Sequence, residues 1–162
     1  MKNWFRNILI VMCFALLSAC GDTQHSSPSG GSLKTVIKPT ALTATLNIGG
    51  VQMAIALPSG VAPELNADGS VNDAVAVEFI SSAPTAYKTQ KATYDAVKSV
   101  LEFSVIDLAG FSTEDQIVLH LKVAEGTFPK ESDFSILSYD FFDKVTGESI
   151  TGLNPTLITT IQ

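Results

Sequence analysis

The sequence predicts an all-β protein, a two-sheet antiparallel β-sandwich, in the residues that follow an apolar N-terminal segment. Two observations carry this prediction. Apolar and polar residues alternate with a period of two in several short segments, and Gly, Pro, Asn or Asp residues bound most of them. This is the pattern of half-buried strands joined by turns. Eight or nine short strands with frequent turn signals are typical of a sandwich.

Alternation places the strands along the chain. The clearest segments cover residues 42–48, 51–57, 75–79, 101–105 and 117–123. Gly49 and Gly50 are predicted to break the chain between the first two strands, and residues 58–60 are predicted to form a turn. A strand over 134–142, a turn over 143–147 and a Thr-rich strand over 157–161 complete the series.

Residues 88–100 allow two interpretations. Tyr94, Val97 and Leu101 have helical spacing. A hairpin is preferred, with strands over 92–95 and 100–107 around a turn near Lys98, because the flanking segments are strands and sequential strands usually pair.

The N-terminus has the three parts of a secretory signal. Lys2 and Arg6 precede an apolar run over residues 8–17, which is shorter than the ~20 residues that span a bilayer. The residues Leu17, Ser18, Ala19 and Cys20 then resemble the lipobox of bacterial lipoproteins. The alternative is an ordinary signal peptide with a chance cysteine. The resemblance predicts a signal peptide over 1–19 and a lipidated Cys20 at the mature N-terminus.

A lipidated Cys20 would anchor the chain in the cell envelope without a membrane-spanning helix, because two or three acyl chains of the palmitate type hold stably. In Gram-negative lipoproteins an aspartate directly after the cysteine favours the inner membrane. Gly21 holds that place and Asp22 follows it, so the outer membrane is preferred. Residues 20–32 contain no large apolar residue and predict a flexible tether. Residues 33–162 are predicted to form one domain.

Composition excludes several classes of function. Loss of residues 1–19 removes Lys2 and Arg6, so the formal charge changes from −6 to about −8 and no arginine remains. Such a chain is poorly suited to nucleic acid, where phosphate contacts dominate affinity. With Cys13 removed and Cys20 in a thioether, no internal disulfide can form. No cofactor is predicted.

From Gly50 onward, the order of the predicted strands and turns is similar to that of the cohesin domain, within the carbohydrate-binding-module-like sandwiches of jelly-roll topology. The resemblance covers about 110 residues and rests on four segments, GVQMAIALPSGV, VLEFSVIDLAGFS, QIVLHLKVAEGTFP and FSILSYDFFDKVTGESI. It implies a non-catalytic, protein-binding module. The chain lacks tandem copies and wall-anchoring repeats, and the residues that bind dockerin cannot be placed in it.

Few residues are candidates for chemistry. His120 is predicted on the face opposite Ile117 and Leu119, and His25 lies in the tether. Two histidines apart in sequence and no cysteine cluster argue against zinc. No nucleophile has a base and an orienting acid, so an enzyme is not expected. Loop acids are weak calcium candidates, with turn formation as the alternative: Asp68, Asp73, Asp140 and Asp143.

Exposed aromatic rings would favour sugar binding. The candidate ligand contacts are Tyr87, Phe111, Phe128 and Tyr139. Because adjacent strand residues point to opposite faces, one of Phe141 and Phe142 is predicted in the core and the other is either exposed or covered by a loop.

The sequence therefore favours a lipid-anchored, non-catalytic module that binds another protein through one sheet face. The first alternative is a carbohydrate-binding lipoprotein that uses loop aromatics to contact a polysaccharide. The second alternative is a structural subunit of an envelope assembly.

Overall fold

The structure is a computed structural model that describes residues 31–40, 48–80, 88–111 and 115–161. Within these ranges the chain forms nine strands, one α-helical turn and one 3-10 turn. The strands are β1 (Ser32–Thr40), β2 (Ile48–Ala56), β3 (Val61–Pro63), β4 (Val77–Ile80), β5 (Lys88–Asp95), β6 (Val100–Phe111), β7 (Gln116–Val123), β8 (Ser135–Asp143) and β9 (Asn154–Ile161). The helical turn α1 covers Asp73–Ala76, and the 3-10 turn covers Glu131–Asp133.

The strands form two antiparallel sheets. The five-stranded sheet has the order β3-β7-β1-β9, and β4 pairs with β7 beside β3. The four-stranded sheet has the order β5-β6-β2-β8. The chain crosses between the sheets repeatedly, since β1, β7 and β9 lie in one sheet while β2 and β8 lie in the other. The predicted all-β, two-sheet sandwich is confirmed.

The core lies between the sheets and follows the alternation in the sequence. In β7, Ile117, Leu119 and Leu121 are at most 3% exposed, and they face Val51, Met53 and Ile55 of β2 within one apolar cluster. Burial of such side chains stabilises the fold by about 1.5–3 kcal/mol each. This apolar core is therefore the main source of the stability of the sandwich.

The predicted hairpin is confirmed, and the helical interpretation of residues 88–100 is wrong. β5 pairs with β6 from Lys88 opposite Asp107 to Asp95 opposite Val100. Asp95 Oδ1 accepts the backbone N–H groups of Val97 and Lys98, each at 3.0 Å. These two bonds close the turn between β5 and β6.

Several details differ from the sequence prediction, which also did not include β3. Gly49 and Gly50 do not end a strand, because β2 runs through them with a shift of register between Ile48 and Gly50. Val75 is not in a strand, because the Asn72 carbonyl accepts the N–H groups of residues 75 and 76 and closes α1. β1 was not predicted, and it begins at Ser32, where the predicted tether ends. The strand predicted over 42–48 lies outside the described residues except for Ile48.

The sandwich has two ends, named here for use below. The tether end carries Gly31, whose carbonyl accepts the N–H of Val123, and the connections 57–60, 96–99 and 124–134. The far end carries the last residues of β6 and the turn 143–147. In the part of the chain that the structure describes, no helix is long and apolar enough to cross a membrane.

Candidate binding face on the four-stranded sheet

The outer face of the four-stranded sheet is built from the side chains that alternate with the core residues. Strand register sets them in three rows across the sheet. Two rows are polar or small, and one row, nearest the far end, is mainly apolar. From the far end the rows are Thr89–Ile106–Gly50–Phe142, Lys91–Ser104–Gln52–Asp140 and Thr93–Glu102–Ala54–Ser138.

Beside the apolar row, toward the far end, lies Leu108, the next outward residue along β6. Leu108 is 66% exposed and Ile106 is 46% exposed, while Phe142 is half-buried. These side chains and the adjoining backbone line a notch of about 300 Å³. Exposed apolar groups gathered around a concave site are a mark of an interaction surface.

Gly50 forms the floor of this notch. A Cβ atom at this position would lie 3.7 Å from Ile106 Cγ1 and 3.7 Å from Phe142 Cδ2, which is ordinary van der Waals contact. The missing side chain therefore leaves the space between the two apolar walls open. A methyl group could occupy that space in ordinary contact with both walls.

Gly49 has a different role, because it permits a close approach of the turn 143–147. A Cβ atom there would lie 2.6 Å from Lys144 Cα, too close for any residue but glycine. The Lys144 ammonium donates to the Ala109 carbonyl at 2.9 Å. The turn is thus fixed over the start of β2 and the end of β6, and it forms one wall of the notch.

Asp143 holds this turn internally. Its Oδ1 accepts the N–H groups of Val145 and Thr146 at 2.8 Å each, and the Thr146 hydroxyl at 3.2 Å. The backbone N–H of Thr146, followed by that of Val145, lowers the pKa of Asp143 below its ordinary value of 3.8, because these bonds favour the charged form. Asp143 therefore stabilises the turn, which is the alternative to calcium binding that the sequence left open.

Carboxylates outnumber lysines on and beside the face. Glu102 and Asp140 project from its rows, and Asp143 and Glu148 flank the notch. The two lysines nearby have partners, since Lys144 binds the Ala109 carbonyl and Lys91 lies 3.9 Å from Asp73. A basic surface would complement this face.

The remaining calcium candidates are engaged within the fold. Asp68 Oδ1 accepts the Ser70 hydroxyl at 2.6 Å and the Ser70 N–H at 2.9 Å, and the hydroxyl bond first, then the N–H, lowers its pKa below 3.8. Asp73 Oδ1 accepts the N–H of Ala92 on the edge strand β5 at 2.6 Å. Asp140 accepts the Ser149 hydroxyl. Across the described ranges, no three His, Cys, Asp or Glu side chains group as metal ligands.

The aromatic candidates do not form a row. Phe111 is 6% exposed and stacks edge-on against Phe79 at 4.5 Å, so the prediction that it contacts a ligand is corrected: its ring fills the core. Phe128 is 65% exposed in the connection 124–134 at the tether end. Tyr139 lies on the edge strand β8, and its hydroxyl donates to Asn154 Oδ1 at 2.7 Å, which joins the two sheets. Tyr87 lies outside the described residues.

Phe141 and Phe142 behave as the alternation predicts. Phe141 is 3% exposed in the core, and Phe142 lies on the outer face beside Gly50. His120 also lies where predicted, on the outer face of the five-stranded sheet, with Nε2 2.8 Å from Glu78 Oε2. The notch is on the opposite side of the sandwich, so His120 cannot act in it.

The sequence did not single out Asp107 or Asp115, which are 0% and 2% exposed. Asp107 Oδ1 accepts the N–H of Ala109 at 2.8 Å and so fixes the backbone that carries Leu108. A signal was present, because Asp107 holds the inward position that follows Leu101, Phe103 and Val105. The cleavage residues Leu17, Ser18 and Ala19 and the lipidation site Cys20 lie outside the described ranges.

Comparison of the chain with models of known protein families gives no match, and comparison with curated proteins gives none either.

Proposed function

We propose that this chain is a lipid-anchored, non-catalytic binding module that holds another protein on the outer face of its four-stranded sheet. The observation that supports this most directly is the notch between Ile106 and Phe142, which is open because residue 50 is glycine. The cohesin-like order of segments in the sequence points to the same class of module. The lipobox-like residues that end at Cys20 supply the anchor.

The partner is a protein segment that carries an apolar side chain beside basic residues. The apolar side chain enters the notch, where it contacts Ile106, Leu108 and Phe142. Lysine or arginine residues beside it face the carboxylates around the site. Complementary charge of this kind orients the partner and speeds association, while the buried apolar contact supplies most of the affinity.

The rigidity of the site supports a preformed mode of binding. Lys144 and Asp143 fix the turn on one side, and Asp107 fixes the end of β6 on the other. A site that needs little ordering loses less free energy on association.

Site-specific photo-crosslinking in the native envelope tests the proposal. A photoreactive amino acid replaces Leu108 in the full-length protein, and in the control it replaces Ile158, which is 44% exposed on the outer face of the other sheet. We expect one prominent protein adduct from position 108, absent from position 158. The crosslinked peptide should contain an apolar residue flanked by lysine or arginine. Equal adducts from both positions, or a glycan adduct at position 108, would contradict the proposal.

A further inference from the structure

The tether end of the domain carries two of the most exposed apolar side chains among the described residues. Val97 is 95% exposed at the tip of the β5–β6 turn, and Phe128 is 65% exposed in the connection between β7 and β8. Neither belongs to the notch face described above.

Hydrogen bonds hold the backbone beside both side chains, and next to Phe128 the Ala124 carbonyl accepts the N–H of Thr127. Asp95 accepts the N–H of Val97, and the Ser99 carbonyl accepts the N–H of Leu57, so the turn is fastened to the end of β2. Lys98 follows Val97 in the same turn with a side chain that is 76% exposed, and Lys130 lies two residues after Phe128. An apolar tip beside a long lysine side chain suits the boundary between acyl chains and headgroups.

The anchor leaves the domain at this same end. Gly31 is hydrogen-bonded to Val123 at the start of β1, and ten residues lie between it and Cys20. A Gly/Ser-rich chain of that length spans about 18 Å on average. A nine-residue strand such as β2 spans about 30 Å. The anchor therefore keeps the tether end near the lipid and the far end away from it.

We infer that the tether end rests on the membrane through Val97 and Phe128, so that the notch at the far end points away from the bilayer. This inference rests on the proposed lipidation of Cys20. The contact is apolar and not electrostatic, because Asp95, Glu125, Glu131 and Asp133 outnumber the lysines of this end. The acyl chains hold the protein on the membrane, and the two side chains set its orientation.

Tryptophan fluorescence tests the orientation, because Trp4 is the one tryptophan of the sequence and lies in the predicted signal peptide. Phe128→Trp and, separately, Val97→Trp place a single reporter at the tether end of the mature protein. The control is Val145→Trp in the turn 143–147, where the native side chain is 79% exposed. Each lipidated protein is reconstituted in vesicles of phosphatidylcholine with brominated or unmodified acyl chains. Circular dichroism checks the fold of each variant.

We expect brominated lipid to quench both tether-end reporters and to leave the Val145→Trp reporter unchanged. Equal quenching at both ends, no quenching at either end, or stronger quenching at position 145 would overturn the inference. Mass spectrometry of the same samples shows whether Cys20 carries lipid, and so tests the anchoring proposal separately from the orientation. A chain with no lipid on Cys20 overturns both, whereas a lipidated chain with equal quenching overturns the orientation alone.

Discussion

The two outer faces of the sandwich cover one core but present different chemistry to their surroundings. The outer face of the five-stranded sheet carries polar pairs, since Glu78 is hydrogen-bonded to His120 and Glu64 forms an ion pair with Lys122. The outer face of the four-stranded sheet has its lysines engaged and its apolar side chains gathered around Gly50. This difference supports the proposal that the four-stranded sheet is the binding side.

The largest effect on stability is expected from the two adjacent glycines of β2. Gly49→Ala places a methyl group 2.6 Å from Lys144 Cα, so the turn must move, at a cost of about 1–3 kcal/mol. Gly50→Ala meets its neighbours at 3.5 Å or more and removes a glycine from a strand interior, so it leaves stability unchanged or raises it by up to about 1 kcal/mol. Chemical denaturation of both variants checks this. Equal destabilisation of the two would show that the turn does not lie over Gly49 as described.

The next effect concerns partner binding and compares one apolar residue from each face. Leu108→Ala should weaken the complex by about 1–2 kcal/mol, or roughly five- to thirtyfold. Ile158→Ala removes a comparable exposed side chain from the other face and should leave affinity unchanged. Titration of the crosslinked partner, once purified, against both variants measures the difference. Greater loss from Ile158→Ala would assign binding to the five-stranded sheet.

A smaller effect is expected from the hydrogen-bonded pair of His120 and Glu78 on the five-stranded sheet. The His120 and Glu78 side chains are 39% and 49% exposed, and solvent screens the pair. His120→Gln should therefore lower the free energy of unfolding by less than about 1 kcal/mol. The substitution should not alter partner affinity, because His120 lies on the side of the sandwich opposite the notch. A measurable loss of affinity would place a contact on this face.

The smallest effect is a local response to acid in the turn beside the notch. The folded-state pKa of Asp143 lies below its ordinary value of 3.8. The contribution of the Asp143 carboxylate to the stability of the turn is therefore fully present above pH 3.8. The contribution is lost as the pH falls through the lowered pKa. We expect the amide resonances of Val145 and Thr146 to shift only below about pH 3.8, and Asp143→Asn to remove that titration. A titration above this value would contradict the hydrogen bonding of the turn.

The sequence predicted the strands that have one buried face, such as β7, because burial imposes alternation. It missed β1, where Thr35 faces inward and Val36 faces outward, so the apolar pattern is absent. It misplaced Val75, because the hydrogen bonds to Asn72 that close α1 leave no periodic signal.

The notch could not be predicted as a site, although its residues were visible. Ile106 and Leu108 stand in the polar phase of β6, and Gly50 interrupts the outward residues of β2. Their meeting with Phe142 depends on the register of three strands that are not consecutive in the chain. Register between distant strands is set by packing of the whole sandwich, which a local pattern does not contain.

The most direct test of the central claim is to fill the notch without disturbing the fold. Gly50→Val extends a side chain between Ile106 and Phe142, and Ala54→Val adds similar bulk to a polar row of the same strand and face. Circular dichroism and thermal unfolding check that each variant keeps the native fold before affinities are compared. We predict that Gly50→Val weakens the crosslinked partner at least about tenfold, or 1.4 kcal/mol, while Ala54→Val binds as the native protein does. Unchanged affinity in Gly50→Val, or equal losses in both variants, would contradict the account.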